Sequence, residues 1–320
     1  MTEGRIARWT GQHPLRVAGI STSRLAVRVV KQFLDVRVMG LAAEMTYYAL
    51  LSLFPLVGAL GASLGFAERL FGPAQALAME AAIIRSLQLV FSPDVSSDVM
   101  VPLVQGLLQE ERTGFALGGF AVTIFFASRV FRSAIDTLDT AYNVDERRGT
   151  IKLWWLGFVF AVSAVVVAAV VLAMVVVGPL LGGARALAIW LRLGNAFEWA
   201  WHIARWPVVF ALATGFLSML YRFGPNVRNT WREALPGAVI GMLLLLLVAI
   251  GFRVYIGTIG VGSPAMSDAD EAVLFALQAF GALLAVLLWL WLSAMVILTG
   301  GVINAELSRI RGEMPPQKEV

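Results

Sequence analysis

Apolar residues gather into six long stretches, each able to form a helix of roughly 20 residues that crosses a hydrocarbon core about 30 Å thick. They cover about 41–66, 114–135, 153–178, 203–221, 236–257 and 273–303. The third is rich in Val and Ala and carries no charge. The fifth is built on the unbroken run from Met242 to Val248. Lipid offers no partner to backbone N–H and C=O groups, so segments of this length span as helices. The pattern predicts an all-α polytopic membrane protein of six transmembrane helices. Its parts are a cytoplasmic basic arm (1–40), a six-span membrane domain (41–306) and a cytoplasmic tail (307–320). Residues 67–113 mix acids and bases around Ser92-Pro93-Asp94, which predicts an extracytoplasmic helical insertion between spans one and two. The stretch 179–202, with Trp190, Trp199 and Trp201, reads as an interfacial helix on the same side.

The arm has its own periodicity. Between 16 and 38, Arg24, Arg28, Lys31 and Asp35 share one helical stripe, while Leu25, Val29 and Phe33 share its neighbour. This predicts a basic amphipathic helix lying on an anionic cytoplasmic leaflet. The first thirty residues lack the compact apolar core of a cleaved signal peptide.

Composition supports the membrane assignment: 59% of the 320 residues are hydrophobic and 14% charged, with a mean hydropathy of +0.78. A soluble domain is about one quarter charged. With the N-terminus inside, eighteen Lys and Arg fall in the cytoplasmic segments and six outside (Arg69, Arg85, Arg112, Arg185, Arg192 and Arg205). By the positive-inside rule both ends are cytoplasmic. The net charge of +4 therefore reflects topology, and nucleic acid is not an expected partner. There is no Cys, and the two histidines, His13 and His202, stand on opposite sides of this topology. No metal and no cofactor are expected. No phosphate loop of the G-x-x-x-x-G-K-[ST] type and no intramembrane protease constellation exists either, so the chain is not expected to be an enzyme.

Polar groups inside spans mark function more often than elsewhere. In span one, Glu44, Tyr48 and Ser52 fall at i, i+4 and i+8, a face expected to turn inward, with Pro55 predicting a kink. In span two, Arg129, Arg132, Asp136, Asp139 and Asn143 follow at steps of three and four on a helix that should extend out of the membrane, where Arg132 and Asp136 can pair. Span six adds Ser293, Thr299, Asn304 and Glu306. Such groups also serve as buried ties that fix helix register. Their concentration on the cytoplasmic side favours a polar cavity formed by Glu44, Tyr48, Ser52, Arg129, Arg132, Asp136, Asn304 and Glu306, with Arg129 and Arg132 as an anion-contacting pair. Gly237 and Gly241 form a GxxxG in span five, and Gly61 and Gly65 another in span one.

Three stretches together resemble the YihY / virulence factor BrkB family, bacterial inner-membrane proteins formerly labelled ribonuclease BN. They are the signature from Leu41 to Pro55, the run from Ser128 to Asn143, and a third set. That set comprises Gly224-Pro225-Asn226, Pro236-Gly237-Ala238, Gly251 to Tyr255, Leu288 to Ser293 and Gly300 to Glu306. Their order and spacing match over about 40–308. Phe280-Gly281-Ala282 and Glu44-Met45-Thr46 depart from the usual pattern. The resemblance implies six spans with both ends inside and no settled activity. The expected function is a transporter or flippase-like exporter of an anionic envelope constituent, a lipid or lipid-linked precursor. The alternative is a non-catalytic envelope assembly scaffold. Expected partners are membrane lipids, that anionic lipid-like substrate and further copies of the chain.

Overall fold

The computed structural model describes residues 16–17, 20–64, 113–177, 195–259 and 271–312, with scattered positions between 66 and 84. Most of the expected insertion at 67–113 and most of the interfacial stretch at 179–202 lie outside the described residues. Seven helices make up nearly all of the rest: α1 (Thr22–Asp35), α2 (Val38–Leu64), α3 (Thr113–Tyr142), α4 (Thr150–Leu172), α5 (Asn195–Phe223), α6 (Trp231–Ile259) and α7 (Glu271–Arg311). Among the described residues the fold is all-α apart from a two-residue antiparallel pairing of Arg16–Val17 with Ile20–Ser21. Helices α2 to α7 each contain a segment long and apolar enough to cross a membrane. Their exposed apolar side chains, among them Phe54, Val57, Val166, Leu172, Leu247 and Ile250, suit contact with lipid.

Helix ends follow local chemistry. Arg37 adopts a left-handed φ of 58° between α1 and α2, and Asn143 ends α3 at φ 56°. Asn is among the few residues that tolerate this region. Thr230 and Glu233 open α6 as half of a capping box, the Thr230 N–H donating to Glu233 Oε2 at 2.7 Å. Several helices outrun the apolar stretches. Helix α3 has 30 residues, about 45 Å at 1.5 Å per residue, so it protrudes beyond a core of about 30 Å.

Two compact units divide the chain. One contains residues 1–45, 130–248 and 292–320; the other contains 46–129 and 249–291. In the first, a core joins Ile135 and Leu138 of α3, Leu153 and Phe160 of α4, Leu217, Leu220 and Tyr221 of α5, and Ala234, Ala238 and Met242 of α6. Phe131 stacks on Phe160 at 5.9 Å and meets Phe216 edge-on at 5.8 Å. Helices α6 and α7 meet there through glycine: a Cβ on Gly300 would stand 2.8 Å from the Gly237 carbonyl and 3.2 Å from the Gly241 Cα. The GxxxG of span five is thus a helix contact. In the second unit, α2 and α3 approach as closely. A Cβ on Gly119 would lie 2.8 Å from Ala59 Cβ and 2.9 Å from the Pro55 carbonyl.

Amphipathic α1 leaves Val27, Val30 and Leu34 exposed beside exposed Arg28 and Lys31, an arrangement suited to a leaflet surface. Its Gln32 instead holds the bundle: Nε2 donates to the Ala141 carbonyl at 3.1 Å.

Candidate functional site

Helix α3 presents the two arginines expected to act together, and the structure gives them different neighbours. In the second unit the Arg129 guanidinium lies over the Tyr48 ring, 5.4 Å from its centroid. In the first, Arg132 lies over Trp154 of α4 at 4.6 Å. A spacing of three residues rotates side chains about 60° apart around the helix, enough to send each to its own aromatic face. Asp136 does not form the permitted i, i+4 pair with Arg132. The guanidinium turns instead to the indole, where a cation gains from the ring quadrupole, and Asp136 stays exposed.

Glu44 corrects an expectation. It is exposed, while its neighbours Met45 and Thr46 are buried. One residue along a helix is a rotation of about 100°, so at Glu44 the buried face lies one position further on, while Tyr48 and Ser52 of the same stripe are half-buried. Glu44 nevertheless lies within electrostatic reach of Asp136, as do Arg132 and Arg148. The first unit therefore gathers an accessible group of Arg132, Asp136, Glu44 and Trp154. In the second, Ser52 Oγ donates to its own helix at the Ala49 carbonyl, 2.6 Å away. Thr123 Oγ1 donates to the Gly119 carbonyl at 2.8 Å and to the Ser52 carbonyl at 3.4 Å.

Two expected cavity residues are structural ties. Asn304 is fully buried on α7; its Oδ1 accepts the Gly237 N–H at 2.7 Å and its Nδ2 donates to the Ala234 carbonyl at 2.8 Å. These bonds straddle Pro236, which brings no N–H of its own to the ladder of α6. Glu306 pairs with Arg309 at 2.5 Å. Arg309 also donates to Gln32 Oε1 at 3.0 Å and to the Ala141 carbonyl at 2.9 Å, fastening α7 to α1 and α3.

A network missed by sequence reasoning closes the same end of this unit. Asp139 Oδ1 accepts the Asn226 N–H at 2.5 Å, and its Oδ2 receives Arg148 Nη2 at 3.4 Å. Arg148 also donates to the Gly224 carbonyl at 2.8 Å and to Glu146 at 2.5 Å and 2.8 Å. Asn226 Nδ2 reaches the Asp145 carbonyl at 3.2 Å. The loop after α3 is thereby bound to the Gly224-Pro225-Asn226 turn after α5. The signal was there in the charge of Asp139 and in that turn motif, but Arg148 read only as a topogenic charge.

Burial alone would raise the Glu146 carboxyl; hydrogen bonds from the Arg148 side chain and backbone outweigh it and hold the group below its ordinary value of 4.5. A lowered folded pKa stabilises above the ordinary value, and this is lost as pH falls through the folded one. Thermal unfolding followed in detergent between about pH 6 and pH 3 should therefore show a steeper acid loss for the wild type than for Glu146→Gln. Equal slopes would remove Glu146 from the account of acid stability.

Among the described residues, no three His, Asp or Glu side chains are placed to hold a metal ion. Shallow grooves among the described residues include one of about 480 Å³ along α4 and α5 and one of about 320 Å³ along α6 and α7 beside Phe252, Arg253 and Trp289.

Comparison with known proteins covers nearly the whole chain. Residues 29–319 match the family described as Virulence factor BrkB. The ribonuclease-like protein YfkH of Bacillus subtilis (strain 168) is 23% identical over 276 residues, 86% of this chain and 92% of that protein. A UPF0761 membrane protein of Xanthomonas campestris pv. campestris (strain B100) is 25% identical over 306 residues, 91% of this chain. One of Xanthomonas oryzae pv. oryzae (strain PXO99A) is 25% identical over 292 residues, 88% of this chain. The chain spans 63% and 60% of the length of these two Xanthomonas relatives. No solved structure matches it significantly.

Proposed function

The chain belongs to the virulence factor BrkB family of membrane proteins, and from this premise we propose that it is an inner-membrane transporter or flippase-like exporter of an anionic envelope constituent, a lipid or lipid-linked precursor. The observation that carries the reading is Arg132. Its guanidinium is presented on the Trp154 face, and its Nε is buried with no hydrogen-bond partner. Accessible Asp136 and Glu44 stand within electrostatic reach of one another beside it. A planar fork held by stacking matches a phosphate or carboxylate, and neighbouring acids give a bound anion a route to release. No catalytic step, metal or cofactor belongs to this reading. The ribonuclease-like name describes the Bacillus protein.

If Arg132 serves substrate, Arg132→Gln should insert and lose only about 1–2 kcal/mol, the worth of its stacking on Trp154, yet fail to complement a deletion strain. Arg132→Lys should recover function only in part, because an ammonium lacks the fork. A stable and fully active Arg132→Gln would end the proposal.

The orientation belongs to the same reading and rests on the eighteen-to-six bias of basic residues. Ile151, 85% exposed beside the loop after α3, suits labelling, since the native chain has no cysteine. A Cys placed at 151 should react with an impermeant maleimide only in inverted vesicles. Reaction in intact spheroplasts would reverse the topology.

The second reading, an envelope assembly scaffold, draws on the ties at Asn304 and Glu306, which use intramembrane polar groups to hold helices together. A scaffold would bring down partner proteins and carry no substrate across.

A further inference from the structure

The 480 Å³ groove between α4 and α5 has features that select its occupant. Ser163 of α4 and Val208, Gly215, Phe216 and Met219 of α5 line it, and Trp231, the first residue of α6, stands at one end. Val208 and Trp231 are exposed at 42% and 51%, so the groove opens on the flank of the molecule. A Cβ added at Gly215 would meet nothing within 4 Å, so the missing side chain leaves real space. Along α5 the eleven-residue step from Val208 to Met219 is about 16 Å, close to half of a core of about 30 Å. The groove is thus one leaflet deep.

Its end is charged. One turn beyond Met219, the Arg222 guanidinium lies 4.6 Å from the Trp231 ring centroid and 4.9 Å from that of Phe223. Stacking engages the face of the guanidinium and leaves its N–H edge for an acceptor. Among the described residues no carboxylate takes that edge. Glu233, the nearest acid in sequence, accepts the Thr230 N–H instead. Trp231 also begins α6, a 29-residue helix whose N-terminus carries partial positive charge.

We infer that this groove holds one acyl chain of an anionic phospholipid, with the lipid phosphate bound by the edge of Arg222 against Trp231. A leaflet-deep apolar slot ending in a stacked, unpaired cation at the level of the aromatic belt fits that molecule at both ends. The inference does not depend on the chain moving a substrate, because it involves neither Arg132 nor Asp136.

The test is native mass spectrometry of the full chain released from nanodiscs containing equal phosphatidylglycerol and phosphatidylcholine. Wild type should retain phosphatidylglycerol preferentially. Arg222→Gln should lower that retention about ten-fold, the worth of one charge-assisted contact. Arg311→Gln, an equal loss of charge at the exposed C-terminal end of α7, should change it less than about two-fold. Gly215→Phe, which fills the slot while leaving Arg222 in place, should lower retention of both lipids, and monodisperse elution of each variant verifies folding. Equal losses from Arg222→Gln and Arg311→Gln, no preference in the wild type, or unchanged retention in Gly215→Phe would each overturn the site.

Discussion

Gly300→Ala is expected to be among the most damaging single substitutions in this protein, costing about 3 kcal/mol or more. The added Cβ would stand 2.5 Å from the Tyr221 hydroxyl and 2.8 Å from the Gly237 carbonyl. Neither can yield cheaply. Tyr221 is fully buried and donates its hydroxyl to the Ile297 carbonyl, and the second obstacle is the backbone of α6. Helices α6 and α7 would have to separate, opening packing around the core. Against a total stability of about 5–15 kcal/mol, such a loss should appear as a large fall in Tm and in the yield of monodisperse protein. Gly241→Ala meets the same Tyr221 oxygen at 3.3 Å and should be milder. Gly40→Ala meets nothing within 4 Å and should be neutral. If all three variants melt together, the α6–α7 crossing is not closed by glycine contact.

Asn304→Leu should cost nearly as much for a different reason. The substitution removes an acceptor from the Gly237 N–H and a donor from the Ala234 carbonyl, both buried. Each polar group left unsatisfied costs about 1–3 kcal/mol, so a loss of about 2–5 kcal/mol is expected, concentrated around Pro236, which brings no N–H to α6. Asn304→Asp keeps the acceptor and loses the donor, and should fall between wild type and Asn304→Leu in thermal unfolding. An Asn304→Leu protein as stable as wild type would return Asn304 to the list of cavity residues.

The six crossings were legible because a run of about twenty apolar residues is a strong signal. Helix ends were less so. Helix α3 runs past its first charges to Tyr142, as its charged stripe implied, but α7 also continues, to Arg311, because outside the hydrocarbon a helix tolerates polar residues such as Arg309 when tertiary partners take them up. Most of the insertion at 67–113 falls outside the described residues.

At the candidate site the polar residue types were readable and their directions were not. The sequence placed Arg129 and Arg132 on one stripe. It offered no sign that Tyr48 and Trp154 would each take one, since stacking depends on which helix becomes a neighbour. Trp154 itself read as an interface marker. Glu44 illustrates the cost of a single-residue phase error, since Met45 and Thr46, beside it in sequence, are the buried ones. Asn304 and Glu306 were correctly seen as polar groups in a span, but whether such a group lines a cavity or ties two helices depends on the partner. That partner comes from a distant segment in the case of Asn304 and Gly237.

The most direct measurement is flux. Purified chain reconstituted into liposomes carrying trace headgroup-labelled phosphatidylglycerol, with and without an imposed ion gradient, should speed movement of the label between leaflets. Arg132→Gln should return the rate to that of protein-free liposomes while remaining folded. A folded wild type that leaves the rate at the protein-free level under every gradient, or an Arg132→Gln variant that moves the label as fast as wild type, would contradict the account.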